Sequence, residues 1–191
     1  MTDLYNPTIA EFFVTYCLLL GATLLWERYL RRTLTYPRGV FYSLLIGYAM
    51  ITLLLMIQPM GGAERSVIAP DDPLINFEPF RIIAAQLQSV QGHWLIMWHI
   101  FLPIPFIFFV GFIGRGRLSW LGFLMVGFAA SIGAELCLFL MNAIPQFPKH
   151  LFDIDRLILN GIGVSLGTLL FCWMETKQWM RECIVNTMSA R

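Results

Sequence analysis

Leu151-Phe152-Asp153-Ile154-Asp155-Arg156-Leu157-Ile158-Leu159-Asn160-Gly161-Ile162-Gly163-Val164-Ser165-Leu166-Gly167 passes in a few residues from two acids into an apolar helix. At helical period Arg156, Asn160, Gly163 and Gly167 share one face. Glycines on such a face let a second helix come close, and an amide there requires a partner. The stretch predicts a charged threshold leading into a packed membrane helix, and so an all-α bundle of transmembrane helices.

The composition around it agrees. Of 191 residues, 58% are hydrophobic and 13% charged, and the mean hydropathy is +0.68. A soluble domain is nearer half apolar and about a quarter charged. The whole chain, 1–191, is expected to form a single transmembrane domain. The net charge of +1 and the lack of any nucleic-acid motif argue against a polyanion partner. Cys17, Cys137, Cys172 and Cys183 form no CxxC pair and read as small hydrophobes. No HExxH, Walker, Rossmann or GxSxG spacing is present, so neither a metal nor another cofactor is expected. A serine nucleophile has no spacing to support it. The N-terminal segment holds Asp3 and Glu11 and no Lys or Arg, so the first apolar run is expected to stay as an anchor rather than be cleaved.

About five runs approach the ~20 residues that a bilayer requires. They lie near Ile9 to Trp26, Gly39 to Pro59, His93 to Ile113, Leu118 to Met141 and Arg156 to Met174, the last being the shortest. One set of loops holds Arg28, Arg31, Arg32, Arg38, Arg115, Arg117, Lys177, Arg181 and Arg191. The opposite set holds only Arg65, Arg81, Lys149 and Arg156. That bias predicts an N-terminus outside and a C-terminus in the cytoplasm. Trp26, Trp120 and Trp173 then fall at inner ends, and Trp94 and Trp98 near an outer end, where belts of tryptophan are usual.

The longest loop, Met60 to Gly92, faces outward in this topology. From Pro79 its apolar residues recur at roughly helical spacing, which predicts a short helix lying on the membrane surface. Within the spans the ionisable residues of interest are His99 and Glu135, and intramembrane ionisable groups are functional by default. Each lies six residues from the outer end of its span, ~9 Å deep. Asn160 is slightly shallower. Ser131, Glu135 and Asn142 share one helical face, and Asn76, Arg81, Asp153 and Asp155 lie above. A ligand site is therefore expected in the outer half of the bundle. Structural readings stand beside it. Glu135 can be a protonated carboxyl joining helices. His99 can satisfy carbonyls released by Pro103 and Pro105. Asp155 can be a helix N-cap, whereas Asp153 has no local role of that kind. Gly163 and Gly167 suit packing within the fold or a homo-oligomer.

Several of these elements resemble the VanZ-like family of bacterial membrane proteins, over roughly Asn76 to Met174. The family's Asn-x-x-Pro-Phe-Arg element is similar to Asn76, Pro79, Phe80 and Arg81. Its proline-containing turn resembles Phe101 to Phe106, and its late glutamate resembles Glu135. Its Phe-Asp-Ile-Asp-Asp-Leu-Ile-Leu-Asn-x-x-Gly element resembles Phe152 to Gly163. Arg156 replaces the second residue of the family's Asp-Asp pair, Leu138 replaces a common Gln, and His99 falls where Asn is usual. The resemblance implies a multi-pass protein of the plasma membrane in Gram-positive type bacteria, in a family whose founding member is linked to teicoplanin resistance.

The functional expectation is a non-catalytic module. Asn76, Arg81, His99, Glu135, Asp153, Asp155 and Asn160 would bind an envelope lipid, a lipid-linked precursor or a glycopeptide-related ligand. Arg81 would clamp a phosphate or carboxylate with its fork. The alternative is an intramembrane enzyme on a lipid-linked substrate, with Glu135 or Asp153 as general base and His99 as acid or relay. A weaker alternative is a small proton-coupled transporter using Glu135. The inner half carries no matching polar set, which weighs against it.

Overall fold

The computed structural model describes residues 9–32, 34–57, 75–88, 90–114, 117–141, 143 and 152–188. In chain order the elements are α1 (Ile9–Leu25), a π-helical stretch (Trp26–Arg31), α2 (Tyr36–Ile57), β1 (Ile75–Asn76), α3 (Arg81–Gln86), α4 (Val90–Phe101), α5 (Pro103–Ile113), α6 (Trp120–Met141), β2 (Phe152–Asp153), α7 (Ile154–Glu175) and α8 (Gln178–Met188). They fall into two compact units. One takes the described residues of 1–58 and 179–191, the other those of 59–178.

In the first unit α1 and α2 form a hairpin. Tyr16 of α1 is hydrogen-bonded to Ser43 of α2. The π-helical stretch ends at Arg32, whose left-handed backbone (φ 53°) returns its N–H to the carbonyl of Glu27. The Glu27 side chain is buried. Glu27 Oε2 lies 3.6 Å from Arg38 Nη1, and Tyr42 donates to Glu27 Oε1 at 3.1 Å. Arg38 Nε donates to the carbonyl of Thr187 in α8 at 2.9 Å. A buried charge is tolerable only with such partners. The positive-inside count treats Arg38 as an ordinary loop cation. In the fold it is a buried junction between α2 and α8.

The second unit holds three helices long and apolar enough to cross a membrane: Gly92–Ile113, Trp120–Met141 and Ile154–Glu175. The first of these bends at Leu102, between α4 and α5. Pro103 has no N–H to offer the carbonyl of His99, one turn before it. Leu102 still donates to the carbonyl of Trp98 at 2.9 Å. The last helix corrects the sequence reading. α7 is not the shortest span but 22 residues long, because its N-cap is the first of the two acids and the helix already includes the second.

α7 packs against α4, α5 and α6. The glycine face predicted from the sequence makes this possible. A Cβ on Gly163 would collide with the carbonyl oxygen of Ile100 in α4, and one on Gly167 would lie 3.1 Å from the Cα of Ile104 in α5. α4 and α5 of the same chain therefore occupy the face on which a second copy was also an option. Below the glycines, Phe171 packs on Phe123 with ring centroids 5.0 Å apart and meets Phe108 edge-on at 5.5 Å. Phe123, Phe171, Ile107 and Val164 have no solvent exposure and form the core.

A buried ionic cluster ties the rim to three helices

The N-terminus of α7 organises the polar residues. β1 and β2 pair in parallel, with Asn76 opposite Asp153. Two-residue strands have little stability of their own, so side chains secure this pairing. Asp153 Oδ1 accepts from Asn76 Nδ2 at 3.0 Å and from the Asp155 N–H at 3.0 Å. Asp153 is therefore the N-cap of α7, in extended conformation (φ −129°, ψ 121°). The N-cap expected at Asp155 is instead made by Asp153, since β2 pairing holds Asp153 extended while Asp155 is already helical.

Asp155, freed from capping its own helix, reaches across to α3. Its Oδ1 accepts from the N–H of Phe80. Its Oδ2 accepts from Ile82 at 2.8 Å and Ile83 at 3.1 Å. Phe80 has a left-handed backbone (φ 67°) and caps nothing with its own side chain. The donors left open at the start of α3 are thus satisfied from a different helix, the case that orphaned first-turn N–H groups demand. Asn76 Oδ1 accepts from the Glu78 N–H at 3.2 Å and shapes the turn between β1 and α3.

Arg156, read from sequence as a departure, is the hub. Its Nη1 lies 3.7 Å from Glu135 Oε2 of α6, and its Nε lies 4.0 Å from Asp153 Oδ2. All four charged residues of the cluster are buried: Glu135, Asp153, Asp155 and Arg156. Two of the three carboxylates, Glu135 and Asp153, face the guanidinium, and the third, Asp155, is turned to the backbone of α3. Asp153 and Asp155 sit at the N-terminus of α7, where the helix dipole favours acidic groups. Burial pushes the Asp153 carboxyl above its ordinary value, while the Asp155 N–H, Asn76 and Arg156 pull the other way. Its Oδ2 accepts no hydrogen bond among the described residues.

The sequence reading set His99 beside Glu135. In the fold, His99 shares its side-chain hydrogen bond with Asn160 and lies within electrostatic reach of Arg156. Arg156 is the residue that pairs with Glu135, and its positive charge disfavours a second one on His99. One signal for this was available. Arg156 and Asn160 are i and i+4 on the face predicted to carry partners. Ser131 turns back to the carbonyl of Gly127 at 3.0 Å and takes no part. Asn142, Lys149 and His150 lie outside the described residues. Arg81 stands at the rim, 45% exposed, with its Nη1 3.8 Å from Glu78 Oε2. Among the described residues no group of His, Cys, Asp and Glu gathers as a set able to hold a metal ion.

Membrane-length helices gathered round α7, with an ionic cluster at one end, define a helical membrane protein. Compared with family models, curated proteins and solved structures, the chain matches none.

Proposed function

We propose that the chain is a five-span protein of the bacterial plasma membrane, N-terminus out and C-terminus in. It binds the head group of an envelope lipid or lipid-linked precursor at its outer rim and catalyses no reaction. α1 and α2 are the additional spans in this reading, α2 being 22 residues long with no charge after Arg38. The VanZ-like resemblance supplies the setting, tolerance of glycopeptides such as teicoplanin or upkeep of the envelope.

One observation carries the binding reading. Asp155 takes the N–H groups of Phe80, Ile82 and Ile83, and so brackets Arg81 and holds it at the start of α3. Phe77 and Phe80 beside it are 67% and 61% exposed. A guanidinium fork suits phosphate or carboxylate, and aromatic side chains suit the interface next to it. The acids behind are engaged in hydrogen bonds and ion pairs, so the cluster acts as a foundation for the rim.

Mass spectrometry of lipid co-purifying with the protein tests this reading. The wild type should retain a phospholipid or lipid-linked precursor, and Arg81→Ala should lose it while stability changes by less than about 0.5 kcal/mol, as for ordinary surface substitutions. Equal retention by both would refute the rim site. For the topology, cysteines placed at positions 3, 72 and 150 should react with an impermeant thiol reagent in intact cells and one at 35 should not; labelling at 35 alone would invert the orientation.

The enzyme reading draws on Asp153 Oδ2, a buried carboxylate oxygen without a hydrogen bond among the described residues. Glu135→Gln and Asp153→Asn separate the two. A missing general base costs about 100-fold or more, whereas a binding module keeps most of its glycopeptide tolerance with either amide.

A further inference from the structure

Away from the ionic cluster, a groove of about 560 Å³ runs between Phe128 and Ile132 of α6 and the stretch of α7 from Leu157 to Leu166. Its wall is apolar except for Ser165, whose hydroxyl donates to the carbonyl of Gly161 at 2.8 Å and asks for nothing from an occupant. Gly161 forms part of the floor. A Cβ there would lie 2.7 Å from the ring of Phe128, so the glycine lets that ring close over α7. Both helices have the length and apolarity to cross a membrane, so the groove opens to hydrocarbon.

Its dimensions select the occupant. From Leu157 to Leu166 is nine residue steps, about 14 Å along the axis at 1.5 Å each. The hydrocarbon core is ~30 Å thick, so the groove matches one leaflet. It starts one residue past Arg156, at the level of the cluster, and ends near mid-membrane. Leu169, Leu170 and Trp173 continue α7 as exposed side chains beyond it. A second copy docking by a spanning helix would use the full 22 residues of α7. A single lipid chain would use half. Asp155, Ile162 and Leu166 stand at i, i+7 and i+11 and share one face of α7. One wall of the groove therefore lies below the residue that holds α3 and Arg81.

We infer that this groove seats one hydrocarbon chain of the lipid whose head group is bound at the Arg81 rim, an inference that rests on the head-group reading above. The chain enters beside Leu157 and runs to Leu166 in the leaflet on the rim side.

The full-length protein in nanodiscs of phosphatidylglycerol, doped with phosphatidylglycerol carrying a diazirine on its acyl chain, provides the test. Photo-adducts mapped by mass spectrometry should concentrate several-fold on Phe128, Ile132 and Leu157 to Leu166 relative to the exposed Leu136, Leu140, Leu169 and Leu170. Ser165→Phe fills the groove and should lower those adducts about tenfold, the equivalent of two lost methylene contacts. Ile162→Trp is a second filling variant should the first fail to fold, and the wild-type adduct map requires neither. Uniform labelling in the wild type, undiminished labelling in a folded filling variant, or cross-links between copies through the groove would each overturn the inference. The two readings separate cleanly. Uniform labelling together with lipid loss in Arg81→Ala removes the groove and leaves the rim. Enriched labelling that Arg81→Ala does not alter upholds the groove and removes the rim's head group.

Discussion

Asp155→Ala would test the idea that one carboxylate builds the rim. The wild-type side chain accepts three backbone N–H groups from residues 80–83. A hydrogen bond to a charged group contributes about 1.5–3 kcal/mol. The Ile82 N–H is buried and loses its bond without replacement. Those of Phe80 and Ile83 are part-buried and recover much of theirs from water or head groups. The net loss is therefore about 3 kcal/mol, one full bond and two partial ones. It falls on a helix of six residues, too short to persist alone, whereas α7 stays packed through its glycine face. The loss should appear as local opening, an increase of roughly 100-fold in hydrogen exchange at Ile82 and Ile83, with little change across residues 159–171. Asp155→Asn presents a single acceptor oxygen and should fall between. Exchange at Ile82 and Ile83 that stays at the wild-type rate in Asp155→Ala, with α3 intact, would refute the reasoning and return Asp155 to the ligand role.

Other outcomes follow from the same geometry. Arg156→Met should lower stability by about 3 kcal/mol, since removing one member of a buried ion pair strands the rest; a thermal melt in detergent within half a degree of wild type would contradict it. Gly163→Ala places a methyl group against the Ile100 carbonyl and should cost at least about 1–3 kcal/mol as overpacking, again read from the melt. For Asp153 the sign of the pH dependence is set by burial. The folded protein holds its carboxyl above the ordinary 3.8, so that contribution to stability is complete below 3.8 and is lost as pH rises through the folded value. Asp153→Asn retains an N-cap acceptor and should flatten this fall in melting temperature; an identical pH profile in the two proteins would remove Asp153 as its source.

The sequence by itself determined the membrane class and the placement of the long helices. Both follow from one-dimensional quantities, the length of apolar runs and the 3.6-residue period. It also determined that Gly163 and Gly167 form a contact face, because space for a close helix requires missing side chains wherever the partner comes from. Which partner fills that face was settled by tertiary structure, since α4 and α5 had to fold back on α7 to reach it. The same holds for the charges. The gathering of Asn76, Glu135, Asp153 and Asp155 at one end was legible from depth and topology, but their roles were not. Asp153 caps α7 and Asp155 caps α3 only because a two-residue parallel strand pairing sets one extended and leaves the other helical. Arg156 joins Glu135 to Asp153 only because α6 stands within reach of a side chain that, in sequence, borders an apolar helix. Ion pairing depends on distances of a few ångströms between residues tens of positions apart, and no periodicity along the chain encodes those distances.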